Sequence, residues 1–141
     1  MSLKWDQRYL YLAGHIATWS KDPSTQCGAV ITDGHRIIST GFNGFPQGIE
    51  DDERLDVRGT KYEMVIHAEI NAILFAKQDL HGCTIYTYPY QPCSRCASVI
   101  IQSGIRRVVT TRQIPGRWQE SFEIANGLFN EANTEFIQLG T

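Results

Sequence analysis

The chain has 141 residues, of which 42% are hydrophobic and 20% charged, and its net charge is −2. This composition is typical of a globular protein with a buried core, and we interpret residues 1–141 as one domain. The absence of a basic excess argues against nucleic acid and anionic membranes as partners.

The N-terminal segment does not resemble a secretion or membrane signal. Lys4, Asp6 and Arg8 interrupt its apolar residues, and the other uncharged stretches are well short of the about 20 residues that a membrane helix needs. We therefore predict a cytoplasmic protein. In that reducing compartment cysteines are expected to be metal ligands or core thiols rather than disulfide partners; they are Cys27, Cys83, Cys93 and Cys96.

Hydrophobic periodicity and turn residues predict the element order α-β-β-α-β-α-β-α-β. Helices are predicted at about 4–20, 66–77, 93–102 and 118–132, and strands at 27–32, 35–39, 83–88, 105–111 and 134–139. Asp33-Gly34 is typical of a hairpin and predicts an antiparallel first pair, whereas strands joined through helices should be parallel. The order predicts a mixed five-stranded sheet with helices on its faces.

Three segments are predicted as loops. Residues 41–48 contain too much Gly and Pro for regular structure. The charged segment 50–61 is expected to be exposed, with some helical content. A further loop passes through Pro115 and Gly116.

Two short motifs carry the chemistry: His67-Ala68-Glu69 and Pro92-Cys93-Ser94-Arg95-Cys96. Each lies where a helix is predicted to begin. Cys93 and Cys96 are three residues apart, so they face the same side of a first helical turn. The partial positive charge at a helix N-terminus favours the thiolates that zinc requires. His67 completes a Cys2His set, which predicts one zinc ion per chain.

Three protein ligands leave one position of a tetrahedral zinc ion open, which distinguishes a catalytic site from a structural one. Water at such a position has its pKa lowered to about 7. Glu69 is expected to share the pocket and to move protons. The alternative is a structural zinc in an interaction module, for which Cys27, Cys83 and His81 are nominal fourth ligands. We interpret the two cysteines as buried core thiols and His81 as a turn residue.

The motifs resemble those of zinc-dependent deaminases that act on nucleobases, whose general signature is His-x-Glu with Pro-Cys-x-x-Cys. More narrowly, the chain resembles the deoxycytidylate (dCMP) deaminases. The similarity runs in order from about residue 4 to 111 through the segments 20–31, 41–46, 67–73, 92–97 and 100–105.

The resemblance implies the three-layer α/β/α fold of the cytidine deaminase-like proteins, with a five-stranded mixed sheet. It implies a hydrolase that acts on a cyclic amidine C–N bond, converting dCMP to dUMP and ammonia in the supply of dTMP precursor. Glu69 would protonate N3 of the pyrimidine and later the departing amine. By resemblance, Asn43 contacts the nucleotide and the Ala68 backbone helps to hold the base. A homo-oligomer, for which a hexamer is one form among relatives, is also implied.

Other features leave alternatives open. The loop 21–25 is either a candidate phosphate cradle, in which Ser24 is the preferred contact, or an ordinary turn. Asn43 is either a ligand contact or a turn residue in the left-handed conformation. The strand before Pro92 is one residue longer than in the family, which predicts a bulge and leaves either Tyr88 or Tyr90 to face the base. Gln47-Gly48-Ile49 lacks the cysteine of a second zinc site, so we predict none. The runner-up function is a deaminase of the same fold that acts on another nucleoside or base.

Overall fold

The computed structural model describes residues 2–112 and 116–140; Pro115, in the last predicted loop, lies outside these ranges. Within them the helices are α1 (Leu3–Ala17), α2 (Arg58–Met64), α3 (Ala68–Ala76), α4 (Ser94–Gln102) and α5 (Gln119–Glu131). The strands are β1 (Gly28–Asp33), β2 (Arg36–Phe42), β3 (Thr84–Tyr88), β4 (Arg107–Thr111) and β5 (Glu135–Leu139). A 3-10 turn covers Glu53–Asp56.

The five strands form one mixed sheet in the order β2-β1-β3-β4-β5. β1 pairs antiparallel with both β2 and β3, while β3–β4 and β4–β5 are parallel. The Asp33-Gly34 hairpin is confirmed, and Gly34 adopts the positive φ of +62° that such a turn uses. β2 and β3, which are joined through helices, point the same way but are separated by β1.

Alternating side chains of the strands build a core on each face of the sheet. On one face Val30, Tyr86 and Val109 pack against Tyr9 and Leu10 of α1. The opposite face carries Ala29, Ile31, Ile85 and Val108, which pack with buried residues of α3, α4 and α5. The predicted three-layer α/β/α fold is therefore confirmed. No helix in the described parts of the chain is long and apolar enough to cross a membrane.

Two loop predictions need correction. The segment predicted at 41–48 is partly ordered: β2 runs to Phe42, and Gly44 forms an isolated bridge with Ile66. The segment 50–61 is not simply exposed, because Lys61 on α2 is buried. The expected helical content is present as the 3-10 turn and the start of α2.

The bulge predicted before Pro92 is wrong. β3 pairs with β1 in continuous register from Thr84 to Tyr88, so the strand holds no inserted residue. The segment that follows the strand begins at a cis Tyr88–Pro89 bond. A register shift does occur in β1, between Ile31 and Thr32, where it pairs with β2.

Candidate active site

The structure brings the side chains of His67, Cys93 and Cys96 together. Their ligand atoms all lie within 4.8 Å of one another, and this is the one such cluster among the described residues. His67 Nδ1 lies 3.3 Å from Cys96 Sγ and 3.6 Å from Cys93 Sγ. The nominal fourth ligands Cys27, Cys83 and His81 are not members of the cluster.

These separations fit a tetrahedral zinc ion. Typical Zn–N and Zn–S bonds at a tetrahedral angle place a nitrogen and a sulfur about 3.6 Å apart. One imidazole and two thiolates also form a donor set that zinc prefers. Three protein ligands leave a fourth position for water or substrate, as catalytic zinc sites require.

The thiols are prepared for metal binding. A hydrogen bond from the Cys96 thiol, assisted by His67, outweighs burial and lowers the pKa of Cys93 to about 4. The lowered pKa favours the Cys93 thiolate, which is the form of cysteine that binds zinc.

His67 is positioned by the start of α3, for which it is the N-cap residue. Just before it, the bridge between Gly44 and Ile66 fixes the chain through two backbone hydrogen bonds, of 2.8 and 3.2 Å. Behind it, α3 lies directly on β2: a Cβ atom at Gly41 would be 2.5 Å from the Ala68 carbonyl oxygen. The helix can approach the strand this closely only because residue 41 has no side chain.

The two cysteines are positioned by the start of α4. Cys93 is its N-cap residue, and Cys96 lies in the first turn with 1% of its surface exposed. The backbone amide of Ser94, in the first turn of α4, donates a 2.9 Å hydrogen bond to Ser121 Oγ on α5. A side chain from another helix therefore caps α4, where the local sequence supplies no cap of its own.

Glu69 lies in the first turn of α3 and is 7% exposed. Burial raises the pKa of its carboxyl group to about 7, although the nearby His67 lowers it. A carboxyl group with this pKa can both accept and return a proton at neutral pH.

A cavity of about 390 Å³ opens over the cluster. That volume is within the usual range for small-molecule sites, which begins at roughly 300 Å³. The cavity lining includes all the predicted substrate-contact residues together with two of the ligands and Glu69; they are Ser24, Asn43, His67, Ala68, Glu69 and Cys93. Tyr88 and Tyr90 both line it as well.

Comparison with known proteins identifies the family. Residues 3–112 match the model of the family described as "Cytidine and deoxycytidylate deaminase zinc-binding region". The chain belongs to this family. It is 46% identical over 142 residues to an uncharacterised deaminase of the luxG 3′ region of Aliivibrio fischeri, covering 99% of this chain and 96% of that one. It is 37% identical to the deoxycytidylate deaminase of Homo sapiens, covering 95% of this chain and 79% of the human protein.

The fold of the deaminase is also found among solved structures. The dCMP deaminase of the cyanophage S-TIM5, in apo form, superposes with a TM-score of 0.79 over 99% of this chain and 100% of its own, at 19% identity. At that identity the comparison establishes the shared fold.

In this deaminase Asn43 is tied to the protein by its side chain. Its Nδ2 donates to the Thr25 carbonyl oxygen at 2.9 Å, and its Oδ1 accepts from the Cys27 amide at 2.9 Å. The alternative of a left-handed turn residue is wrong, because Asn43 does not have a positive φ. Asn43 thus shapes the wall formed by residues 22–27.

Ser24 and Cys27 lie in that same wall. Ser24 is exposed, and its amide donates to Asp22 Oδ1 at 2.8 Å. Cys83 is a buried core thiol and His81 a turn residue, both as predicted. The interpretation of Cys27 as a buried core thiol needs correction: it packs against the core but is only partly buried, and it also lines the cavity. Burial, with Glu69 nearby, raises its pKa to about 12, so it stays a neutral thiol.

Sequence reasoning missed two groups around the cavity. The first is the buried ion pair between Lys61 Nζ and Asp22 Oδ1, at 3.1 Å. The second is the mouth of the cavity, where Trp118 packs against His67 with ring centroids 6.4 Å apart and Arg117 contacts Tyr62. The available signal was the presence of Tyr62, Arg117 and Trp118 directly after two predicted loops, but their meeting depends on the tertiary fold.

Proposed function

We propose that this deaminase hydrolyses a pyrimidine nucleotide, most specifically dCMP, to dUMP and ammonia. The observation that carries the proposal is the burial of the Glu69 carboxylate in one cavity with His67 and Cys93. A structural zinc site has no use for such a carboxylate beside its ligands. Family membership and the human dCMP deaminase among the relatives support the substrate.

His67, Cys93 and Cys96 would hold one zinc ion per chain. When bound there, zinc supplies Lewis acidity and lowers the pKa of water to about 7. The remaining steps belong to the protein. The cavity orients the base with C4 toward the ligands, and Ala68 at the start of α3 holds the ring edge.

Glu69 transfers the protons. Its carboxylate takes a proton from the attacking water as the O–C4 bond forms, and it delivers that proton to N3. It then carries the second proton to the amine as the C4–N bond breaks, which releases ammonia. Asn43 and Ser24 act on the sugar and phosphate side: Asn43 holds the wall in place, and Ser24 offers its hydroxyl to the nucleotide.

Replacement of Glu69 by Gln tests the proton shuttle. We expect Glu69→Gln to bind zinc and fold normally, while ammonia release from dCMP falls about 100- to 10,000-fold, because an amide cannot accept the proton. Glu63→Gln, an exposed neighbour on α2, is the matched control and should be fully active. If Glu69→Gln keeps wild-type turnover, the mechanism is wrong.

An ammonia-release assay across dCMP, CMP, deoxycytidine, cytosine, guanine and adenosine tests the substrate. We expect the highest kcat/KM with dCMP. We also expect a homo-oligomer and a cytoplasmic location, which light scattering and cell fractionation test.

A further inference from the structure

The cavity needs a positive charge if its ligand carries a phosphate, because the dianion loses hydration on entering. Among the residues that the structure describes, two basic side chains besides His67 line the cavity, namely Lys61 and Arg117. They differ in what they already contact.

The charge of Lys61 is already compensated. Its ammonium lies 3.1 Å from Asp22 Oδ1, and both side chains are less than a tenth exposed. The same carboxylate also accepts hydrogen bonds from the Ser24 and Thr25 amides, at 2.8 and 3.2 Å. Lys61 therefore stabilises the wall and is not available as an anion anchor.

Arg117 is available. It is exposed at the mouth, and its Nη2 donates a 2.7 Å hydrogen bond to the hydroxyl oxygen of Tyr62. The guanidinium lies 6.0 Å from the centre of the Tyr62 ring. Among the described residues, no carboxylate forms an ion pair with it. Its remaining N–H groups can therefore bind an oxyanion.

The position of Arg117 suits the far end of a nucleotide. Trp118, the next residue, packs against the ligand His67 at 6.4 Å and against Tyr62 at 6.2 Å. The Trp118 ring thus lies between the metal ligand His67 and Tyr62, which holds the Arg117 guanidinium. A base at Glu69 would direct its sugar along these rings, with the 5′ substituent at the mouth.

We infer that Arg117, oriented by Tyr62, binds the 5′-phosphate of the nucleotide and sets the preference for nucleotide over nucleoside. Ser24 is in the same cavity lining and contributes a neutral donor. This inference rests on the proposed function, since it assigns the phosphate end of the same site.

The test compares substrates that differ only in the phosphate. For Arg117→Gln we expect kcat/KM with dCMP to fall about 10- to 100-fold, as loss of a charge-assisted contact predicts, with deoxycytidine unchanged. Arg117→Lys should recover part of the loss, and Tyr62→Phe should cost a smaller factor. Arg36→Gln removes an arginine whose side chain is 71% exposed on the β1–β2 hairpin and should behave as wild type.

Equal losses on dCMP and deoxycytidine, or no loss on either, would overturn the assignment. Calorimetry measures the binding of dUMP and of deoxyuridine to the zinc-loaded wild type and to Arg117→Gln. These affinities test the phosphate site independently of whether the protein catalyses the proposed reaction. If dCMP is not turned over but dUMP binding depends on Arg117, the phosphate site stands and the proposed reaction fails. If dUMP and deoxyuridine bind wild type equally, the phosphate site fails.

Discussion

The Lys61–Asp22 pair lies in the cavity wall, where side chains are only 7% and 6% exposed. Asp22 Oδ2 also accepts a 3.4 Å hydrogen bond from Asn43 Nδ2. Loss of one member of such a pair leaves an uncompensated buried charge, which costs more than the pair itself contributes. The pair therefore matters to stability mainly through the penalty for breaking it.

We expect Lys61→Met to lower the free energy of unfolding by about 3–5 kcal/mol, because Asp22 then lacks its counter-charge. Chemical denaturation measures the loss. The matched control is Lys21→Met, which breaks an exposed 3.3 Å bridge to Asp51 and should cost less than about 1 kcal/mol. Similar losses in both variants would contradict the role of burial.

The metal ligands and Glu69 were predictable as a group because they lie in two short motifs whose helix starts can be read locally. Lys61 was not predictable in the same way. It lies in a charged segment that looks exposed, and its partner is 39 residues away in sequence. Arg117 and Tyr62 are separated by 55 residues, so only the fold brings them to one cavity mouth.

At the scale of elements, the contact between α3 and β2 positions the catalytic end of the helix. A Cβ atom at Gly41 would lie 2.5 Å from the carbonyl oxygen of Ala68 and 2.5 Å from the backbone nitrogen of Ala72. Backbone atoms within a helix cannot move aside as a flexible side chain could. Any side chain at residue 41 therefore moves α3, and with it His67 and Glu69.

Gly41→Ala is expected to reduce zinc affinity and to cost about 1–3 kcal/mol of stability, the usual range for overpacking. Zinc titration and thermal unfolding check both effects. Gly127→Ala on α5 adds the same methyl group to open space and should instead stabilise the helix by roughly 0.5–1 kcal/mol. Unchanged zinc affinity in Gly41→Ala would contradict the positioning role.

The order of helices and strands was predictable from periodicity and turns, but the arrangement of the strands was less so. The hairpin sends β2 to the sheet edge, which leaves β1 free to pair with β3. In that antiparallel pair Gly28 lies opposite Tyr88. No local sequence pattern predicts this pairing. α1 also packs closely on the strand at Gly28, since a Cβ there would lie 2.1 Å from the Ala13 carbonyl oxygen.

At the scale of the whole molecule, Asp6 joins the first helix to the middle of the sheet. Its two oxygens accept hydrogen bonds from Arg107 at 2.8 and 2.6 Å, and one also accepts from Tyr86 at 2.8 Å. Burial raises the pKa of Asp6, but the hydrogen bonds from Arg107 and Tyr86 hold it below its ordinary value of 3.8.

Because the pKa of Asp6 is lower in the folded state, its ionised form stabilises the fold at pH values above the pKa that Asp6 has in the unfolded chain. This contribution is lost as the pH falls through the pKa of Asp6 in the folded state. Asp6→Asn should therefore cost about 3 kcal/mol at pH 7, with a difference from wild type that narrows below about pH 4. Urea unfolding across pH measures this. Glu135→Gln removes the exposed partner of Arg107 and should cost less than about 1 kcal/mol. A difference for Asp6→Asn that is constant with pH would contradict the ion-pair account.

The hydrogen bond from the Ser94 amide to Ser121 bears on when the metal site can form during synthesis of the chain. During synthesis His67 emerges first, then β3, then both cysteines. Within the described parts of the chain, the side chain that caps the helix holding those cysteines belongs to α5, which emerges later. We therefore expect the cysteines of a growing polypeptide to be held in place for metal binding only after α5, which begins at Gln119, has emerged. A nascent chain that stalls after Cys96 displays all three donors without the support that keeps them in place.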